Sequence, residues 1–313
     1  MGKAVLISIH PEHVANILGG RKIFEYRKVV PSQDVSYLVL YSTSPMKKVV
    51  AVAEVVGRIV GSPSKVWNAT SFGSGITRRF FREYFSGQRQ ACALSLGRVY
   101  ELTPSMALSS LAGMKTPPQS FYYLDDNDME LISANRSPKP TVASHMVFVG
   151  GIHGVGKSTI CSDIFDALGY ECVTASSLIS AYGQTTDHNK RVDDVEENQA
   201  ILLEALGKAK AKNGRLLLDG HYTLINGQGE IKPIDVEVFR GMRPNHLIFI
   251  KGNPDEIAER LQARDKKLWT KTFLAKFQEA EETHARYVAK TIGVPLRIMS
   301  NDIGKSSKQA RGE

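Results

Sequence analysis

The nine residues Gly151-Ile152-His153-Gly154-Val155-Gly156-Lys157-Ser158-Thr159 constrain this chain more than any other stretch. They have the form G-x-x-x-x-G-K-[ST]. The apolar run Met146-Val147-Phe148-Val149 precedes them and a helical pattern follows. That is the strand–loop–helix setting the motif requires. Glycines let the backbone turn closely around phosphate oxygens, and successive N–H groups point inward as an anion nest. The helix opening near Lys157 adds the positive end of its dipole. In this reading Gly151, His153, Gly154, Val155, Gly156, Lys157, Ser158 and Thr159 hold the phosphates of ATP. Lys157 reaches the β- and γ-phosphates, and the Ser158 hydroxyl joins Mg²⁺.

Downstream of the loop, strands alternate with helices. Ile160 to Leu168 continues the helix of the loop, and Tyr170 to Ala175 reads as a strand. Ser176-Ser177 is a candidate cap for a helix starting near Leu178. Asp194 to Lys212 is a long helical pattern. Arg215-Leu216-Leu217-Leu218-Asp219 is a buried strand that ends in an acid, which places Asp219 where ligands bind in open α/β sheets. Asp219 would hold Mg²⁺ through water. His246 to Lys251 is a fourth strand, Pro254 opens the helix Asp255 to Asp265, Lys271 to Gly293 is a long helix, and Pro295 to Met299 is a last strand. Arg260 and Arg264 stand at i, i+4, on one helix face, either as a clamp on transferring phosphate or as a solvated basic face. The alternation implies a five-stranded parallel sheet covered on both faces.

Asp219-Gly220-His221, then Pro233, Val236 and Phe239, Arg243-Pro244-Asn245, and Pro254-Asp255-Glu256-Ile257 to Arg260 resemble archaeal-type adenylate kinases and related small AAA-family ATPases. The resemblance covers roughly residues 146–301 and implies a P-loop kinase fold. It implies that His221 lies near the acceptor, as a general base or as a hydrogen-bonded histidine at a strand end. It also implies that Arg191 approaches an acceptor phosphate and that Arg260 and Arg264 close over the transferring group. The segment before the second long helix and the lid depart from the adenylate-kinase pattern, so the acceptor stays open. An oligomer is compatible with the resemblance.

The N-terminal half has a different texture. Residues 1–140 carry 17 Lys and Arg against 10 Asp and Glu, whereas the remainder carries 23 against 22. The formal charge of +8 therefore belongs mostly to this half, which points to an anionic partner or to a solubilising surface. Ala4 to Ile9, Arg21 to Lys28, Tyr37 to Tyr41, Val49 to Val60, Cys92 to Leu96 and Arg98 to Leu102 read as strands. Val14, Ile17 and Leu18 give one apolar face to a helix opened by Pro11. Ile76 to Phe85 is helical, with Phe81, Tyr84 and Phe85 on one face and Arg78, Arg79 and Arg82 opposite. Many short strands with one or two helices imply a small barrel.

Within this half, Gly20-Arg21-Lys22-Ile23-Phe24-Glu25-Tyr26-Arg27 has the form G-x-K-x-x-E-x-R, and Tyr41-Ser42-Thr43-Ser44-Pro45 follows. Both resemble the ASCH family, a PUA-like β-barrel, over roughly residues 3–124. The resemblance implies a cleft lined by Lys22, Glu25 and Arg27, facing a nucleotide or a nucleic acid, RNA foremost. The other reading is a salt-bridge ladder on a strand surface. One branch of the family resembles amidohydrolases of acylated cytidine, with a Thr three residues after the motif lysine. Here that position is Glu25, so the region reads as a binding module.

The expected organisation is a mostly-β domain over 1–124, a linker over 125–145, an α/β kinase-like domain over 146–303 and a polar tail over 304–313. Three cysteines and no C-x-x-C pair argue against a disulfide framework or a zinc site and fit a reducing cytoplasm. No apolar run approaches the length of a membrane span. Two functions fit: a Mg·ATP-dependent phosphotransferase acting on a nucleotide, nucleoside or polynucleotide, or a nucleic-acid-binding protein regulated by ATP hydrolysis.

Overall fold

The computed structural model describes residues 3–111, 114–142, 144–183, 195–208, 214–226, 228–265 and 269–301. Contacts divide the chain into two units. The first comprises residues 1–145 with 166–170 and 212–215; the second comprises the rest.

The first unit is mostly β. Its elements are β1 (Lys3–Ile9), α1 (Pro11–Leu18), β2 (Phe24–Arg27), β3 (Val35–Ser42), β4 (Lys48–Gly61), α2 (Pro63–Thr70), α3 (Arg78–Tyr84), β5 (Ala91–Met106), β6 (Tyr122–Leu124) and α4 (Asp126–Asn135). Six strands form one sheet in the order β2-β5-β4-β3-β1-β6. Alternation along β1 sends Ala4 and Leu6 into one apolar cluster and Val5, Ile7 and Ile9 into another, so both faces of the sheet are covered. The two strands expected over 92–102 are a single strand, β5. Gly97 and Arg98 break its alternation because the register against β4 shifts there, between Val99 opposite Ala53 and Leu96 opposite Val55. Such a bulge bends the ladder without ending it.

The acidic run expected to open a linker is instead α4. Asp125 caps it, accepting from the Asp128 N–H at 2.8 Å. Met129 and Ile132 are buried in a core cluster of the sheet. Pairings of Val142 with Val99 and of Arg136 with Leu102 tie the following residues to β5. The two prolines at 138 and 140 lie past this helix, so they did not bear on it.

The second unit contains β7 (His145–Gly150), α5 (Lys157–Ile160), β8 (Glu171–Thr174), α6 (Ala175–Gly183), α7 (Val195–Lys208), β9 (Arg215–Asp219), β10 (Thr223–Ile225), β11 (Ile231–Pro233), α8 (Val236–Met242), β12 (His246–Lys251), α9 (Pro254–Asp265), α10 (Lys271–Ile292) and β13 (Leu296–Ser300). The main sheet has five strands in the order β13-β12-β7-β9-β8, with parallel pairing. A two-stranded hairpin, β10–β11, stands apart. Strand order reverses at β7, with β9 and β8 on one side and β12 and β13 on the other. The crevice beyond the carboxyl end of such a strand is where open α/β sheets bind ligands, and the loop 151–159 occupies that position.

Two local readings change. The helix expected from Ile160 to Leu168 is α-helical only to Ile160 and continues as a π-turn, Cys161–Phe165. The wider turn puts Ile160, Cys161 and Phe165 together on a buried face. The helix expected near Leu178 starts at Ala175, and its cap is Thr174, whose hydroxyl accepts from the Ser177 N–H at 3.0 Å.

Candidate functional site

The phosphate loop takes the shape its glycines allow. Gly154 and Gly156 have φ of +74° and +94°, a region costly for any residue with a Cβ. A Cβ on Gly154 would also press on Leu261 Cγ at 2.8 Å, and one on Gly156 would run into the Asn301 side chain. The buried Val155 anchors the loop in the core. Lys157 folds back, and its Nζ donates to the Gly151 carbonyl at 2.6 Å.

Asp219, at the end of β9, lies 3.7 Å from Lys157 Nζ. Burial lowers the Lys157 pKa, a pull that the Asp219 charge opposes. Burial likewise raises the Asp219 pKa, opposed by Lys157 and then His221. For each partner desolvation outweighs the attraction of the opposite charges around it.

His221 follows Asp219 by two residues. Its ring centroid is 4.3 Å from that of His153, and its Nδ1 lies 3.3 Å from Glu281 Oε1. That nitrogen is enclosed and lacks hydrogen-bond alignment with any partner. Glu281, on α10, is fully buried. Its carboxylate accepts the N–H groups of Tyr222 and Thr223 at 3.1 Å each, which fixes the turn between β9 and β10.

Arg260 on α9 donates through Nη1 to the Gly154 carbonyl at 3.1 Å, and its Nη2 lies 3.0 Å from Glu256. Asn301, beyond β13, donates to the Val155 carbonyl. The loop is therefore braced from α9 and from the end of β13.

A cavity of about 670 Å³ joins these groups, within the usual range for small-molecule sites. His153, Gly154, Gly156, Lys157, Ser158, Thr159, Asp219, His221, Arg260 and Arg264 all line it. Gly151 contributes its carbonyl to Lys157 instead, and the Val155 side chain points to the core. Beyond the loop the cavity is walled by Ile179, Leu202, Leu224, Ile234, Val238 and Met242, with the amides of Asn198 and Gln199 among them. Sequence reasoning missed Glu281, Asn198, Gln199 and Asn301. Glu281 did leave a signal, because it occupies a position of the apolar stripe Leu274, Phe277, Ala285 and Val288. Arg191 lies outside the described residues.

Mg²⁺ fits the donor set. Asp219 and Ser158 supply hard oxygens on the same cavity, and Mg²⁺ is commonly held by one or two carboxylates together with substrate phosphates. Among the described residues no group of three or more His, Cys, Asp or Glu is placed to hold a metal.

The first unit holds a separate constellation. Lys22, Glu25 and Arg27 are buried, at 3 %, 7 % and 8 % exposure, so a solvated surface ladder is ruled out. Glu25 sits between the two cations, 3.3 Å from Lys22 Nζ and 3.0 Å from Arg27 Nη2. Lys22 also donates to the Phe24 carbonyl at 2.7 Å. Burial lowers the Lys22 pKa, and Glu25 opposes the shift. A pocket of about 130 Å³ opens on all three residues, with His13, Tyr26 and Tyr84 in its lining. Phe81 on α3 and Phe85 just after it are buried, whereas Arg78, Arg79 and Arg82 on α3 are exposed.

Similarity to known proteins follows the same division. Residues 150–269 match the family described as AAA domain. The C-terminal region is similar to adenylate kinase of Pyrococcus horikoshii, 27 % identical over 185 residues, which are 54 % of this chain and 92 % of that protein. The N-terminal region is similar to an ASCH domain-containing ribonuclease of Zymomonas mobilis, 28 % identical over 126 residues, which are 39 % of this chain and 84 % of that protein. The chain is also 30 % identical over 123 residues to ATP synthase subunit alpha of Ureaplasma parvum, a match that spans 39 % of this chain and only 15 % of that protein. Among the described residues no helix is long and apolar enough to cross a membrane. The chain thus joins an N-terminal region that matches the ASCH domain to a C-terminal P-loop kinase domain of the AAA_17 kind, with adenylate kinases among its homologues.

Proposed function

We propose that the second unit is a Mg·ATP-dependent phosphotransferase and that the first unit binds a nucleotide or RNA. The observation that carries the kinase reading is the cavity itself. It runs from the phosphate loop past Asp219 and His221 into an apolar chamber. Hydrolysis needs only a water beside the γ-phosphate, whereas transfer needs room for a second substrate. Catalysis would be mainly positioning and charge stabilisation. Lys157 and the loop N–H groups hold the β- and γ-phosphates. Asp219 and Ser158 would hold Mg²⁺, which when bound would supply positive charge to the phosphates. Arg260 and Arg264 supply further positive charge as the phosphoryl group moves. The likeness to adenylate kinase supports ATP as the donor.

In the first unit, the ion-paired Lys22, Glu25 and Arg27 present polar groups to a pocket small enough for part of one nucleotide. The exposed arginines of α3 add charge for a phosphate backbone. The Zymomonas mobilis relative, a ribonuclease by name, favours RNA as the ligand.

Lys157→Ala is the test. Incubated with γ-labelled ATP, Mg²⁺ and a panel of nucleosides, nucleotides and oligonucleotides, the native chain is expected to label an organic acceptor. The variant is expected to lose at least about 10²-fold of that rate, the usual scale for one transition-state donor, while keeping its far-ultraviolet spectrum. Undiminished labelling by the variant would remove the loop from the reaction.

A further inference from the structure

We infer that Cys161 and Cys172 form a redox modification site, a dithiol that peroxide closes to a disulfide beside the phosphate loop, and that closure weakens nucleotide binding there. The covalent half stands on the two thiols alone. The binding half rests on the reading of the loop as an ATP site.

The pair is invisible to spacing, because ten residues separate the two cysteines and no C-x-x-C motif joins them. The fold brings them together. Cys161 opens the π-turn Cys161–Phe165 and is buried. Cys172 is the second residue of β8, and β8 packs against that turn. The next residue, Val173, packs onto the apolar cluster of Phe148, Leu202 and Leu218. Alternation therefore turns Cys172 to the opposite face of the sheet. There the Cys161 and Cys172 side chains hydrogen-bond to each other. Both are free thiols, and Cys172 is exposed, on the strand that ends the sheet order. An accessible thiol with a second thiol against it is the arrangement that oxidation converts to a disulfide. Such reversible pairs are the usual form of disulfide in a chain without a structural framework of them.

Position gives the pair its consequence. Cys161 follows directly on the helical residues Lys157–Ile160. Cys172 shares a strand face with Thr174, which lines the cavity. Disulfide sulfurs stand about 2.05 Å apart, closer than a hydrogen-bonded pair. β8 is fixed by its ladder to β9, from Glu171 opposite Leu216 to Thr174 opposite Asp219. The turn is the part that gives, and it takes Lys157 and Ser158 with it.

Peroxide is the oxidant. Cys172 Sγ attacks one peroxide oxygen; a sulfur–oxygen bond forms, the oxygen–oxygen bond breaks, and the thiol proton leaves with the other oxygen as water. Cys161 Sγ then attacks Cys172 Sγ. The sulfur–sulfur bond forms, the sulfur–oxygen bond breaks, and the departing hydroxyl takes the Cys161 proton as a second water. The two thiols together lose two electrons, and the peroxide gains them.

The experiment treats the reduced full-length chain with hydrogen peroxide. A glutamate-specific protease cuts after Glu171, between the two cysteines, and mass spectrometry without reductant shows whether their peptides are joined. A non-reducing gel shows that the bond lies within one chain. Affinity for a fluorescent ATP analogue is measured before and after oxidation. The expected result is joined Cys161 and Cys172 peptides in a single chain, with affinity lower by about 5–150-fold, the usual range for coupling between two sites, and recovery with dithiothreitol. Cys172→Ser is expected to bind like the reduced native chain and to keep that affinity in peroxide. Peptides that stay separate, or a bond to Cys92, would overturn the site. Joined peptides at unchanged affinity, or an equal loss of affinity in Cys172→Ser, would overturn the control of binding. A reduced native chain that binds no ATP would overturn the ATP reading and the binding half with it, whereas the joined peptides would still establish the modification site.

Discussion

At the scale of single residues, both sites are built on charges taken out of water and answered by one another. Asp219 is the sharper case. Its pKa is raised by burial, with Lys157 opposing. A carboxyl whose folded pKa lies above its unfolded value stabilises the fold most when protonated, and that contribution is lost as pH rises from the ordinary carboxylate value of about 4 through the raised one. Without nucleotide, the stability of the native chain relative to Asp219→Asn is therefore expected to fall over that window and then level off. Urea unfolding at a series of pH values measures it; a difference that stays constant, or rises with pH, would contradict the shift. Glu25 gives the complementary case, because two buried cations depend on it. Glu25→Ala is expected to cost about 3–5 kcal/mol, the usual scale for breaking a buried pair from one side, read as a lower urea midpoint. An effect below about 1 kcal/mol would mean that water reaches both cations. The identities of Lys22, Glu25 and Arg27 were readable from one octapeptide. Their burial was not, because it depends on Ser8 and Ser120, whose carbonyls accept from Arg27 and which lie far off in the sequence.

At the scale of elements, α10 links packing to chemistry. Its buried stripe runs Leu274, Phe277, Glu281, Ala285 and Val288, so a carboxylate stands where periodicity calls for an apolar side chain. Glu281→Ala strands two buried N–H donors and is expected to cost about 1–3 kcal/mol. Glu281→Gln keeps one acceptor oxygen and should cost less. Chemical unfolding of the two variants gives the order, and equal losses would show that the donors are satisfied elsewhere. Periodicity located α9 and α10 to within a residue or two because Pro254, Thr270 and Gly293 mark their ends. It failed at the helix of the phosphate loop, where packing of Ile160, Cys161 and Phe165 selects a π-turn that local pattern does not encode. It failed again at α4. There the charged surface of a helix looked like a linker, and only Met129 and Ile132 mark its buried side.

At the scale of the whole molecule, two units of different texture carry two sites of different chemistry. The phosphate loop fixed the second unit's class from the sequence, since a strand, a glycine-rich turn and a helix in that order have few other uses. The apolar chamber was not legible, because its walls come from α6, α7, β10 and α8, which are scattered over more than sixty residues. The central claim is that this cavity passes phosphate to a second substrate and does not merely release it. The most direct measurement is the fate of the γ-phosphate, followed by phosphorus NMR in one tube of full-length protein, Mg·ATP and mixed acceptors, with and without RNA. The account predicts that ADP and an organic phosphate ester rise together, with inorganic phosphate a minor product, and that Lys157→Ala abolishes both. Inorganic phosphate rising alone, in proportion to ADP and faster with RNA, would contradict it and identify an ATP-driven nucleic-acid-binding protein instead.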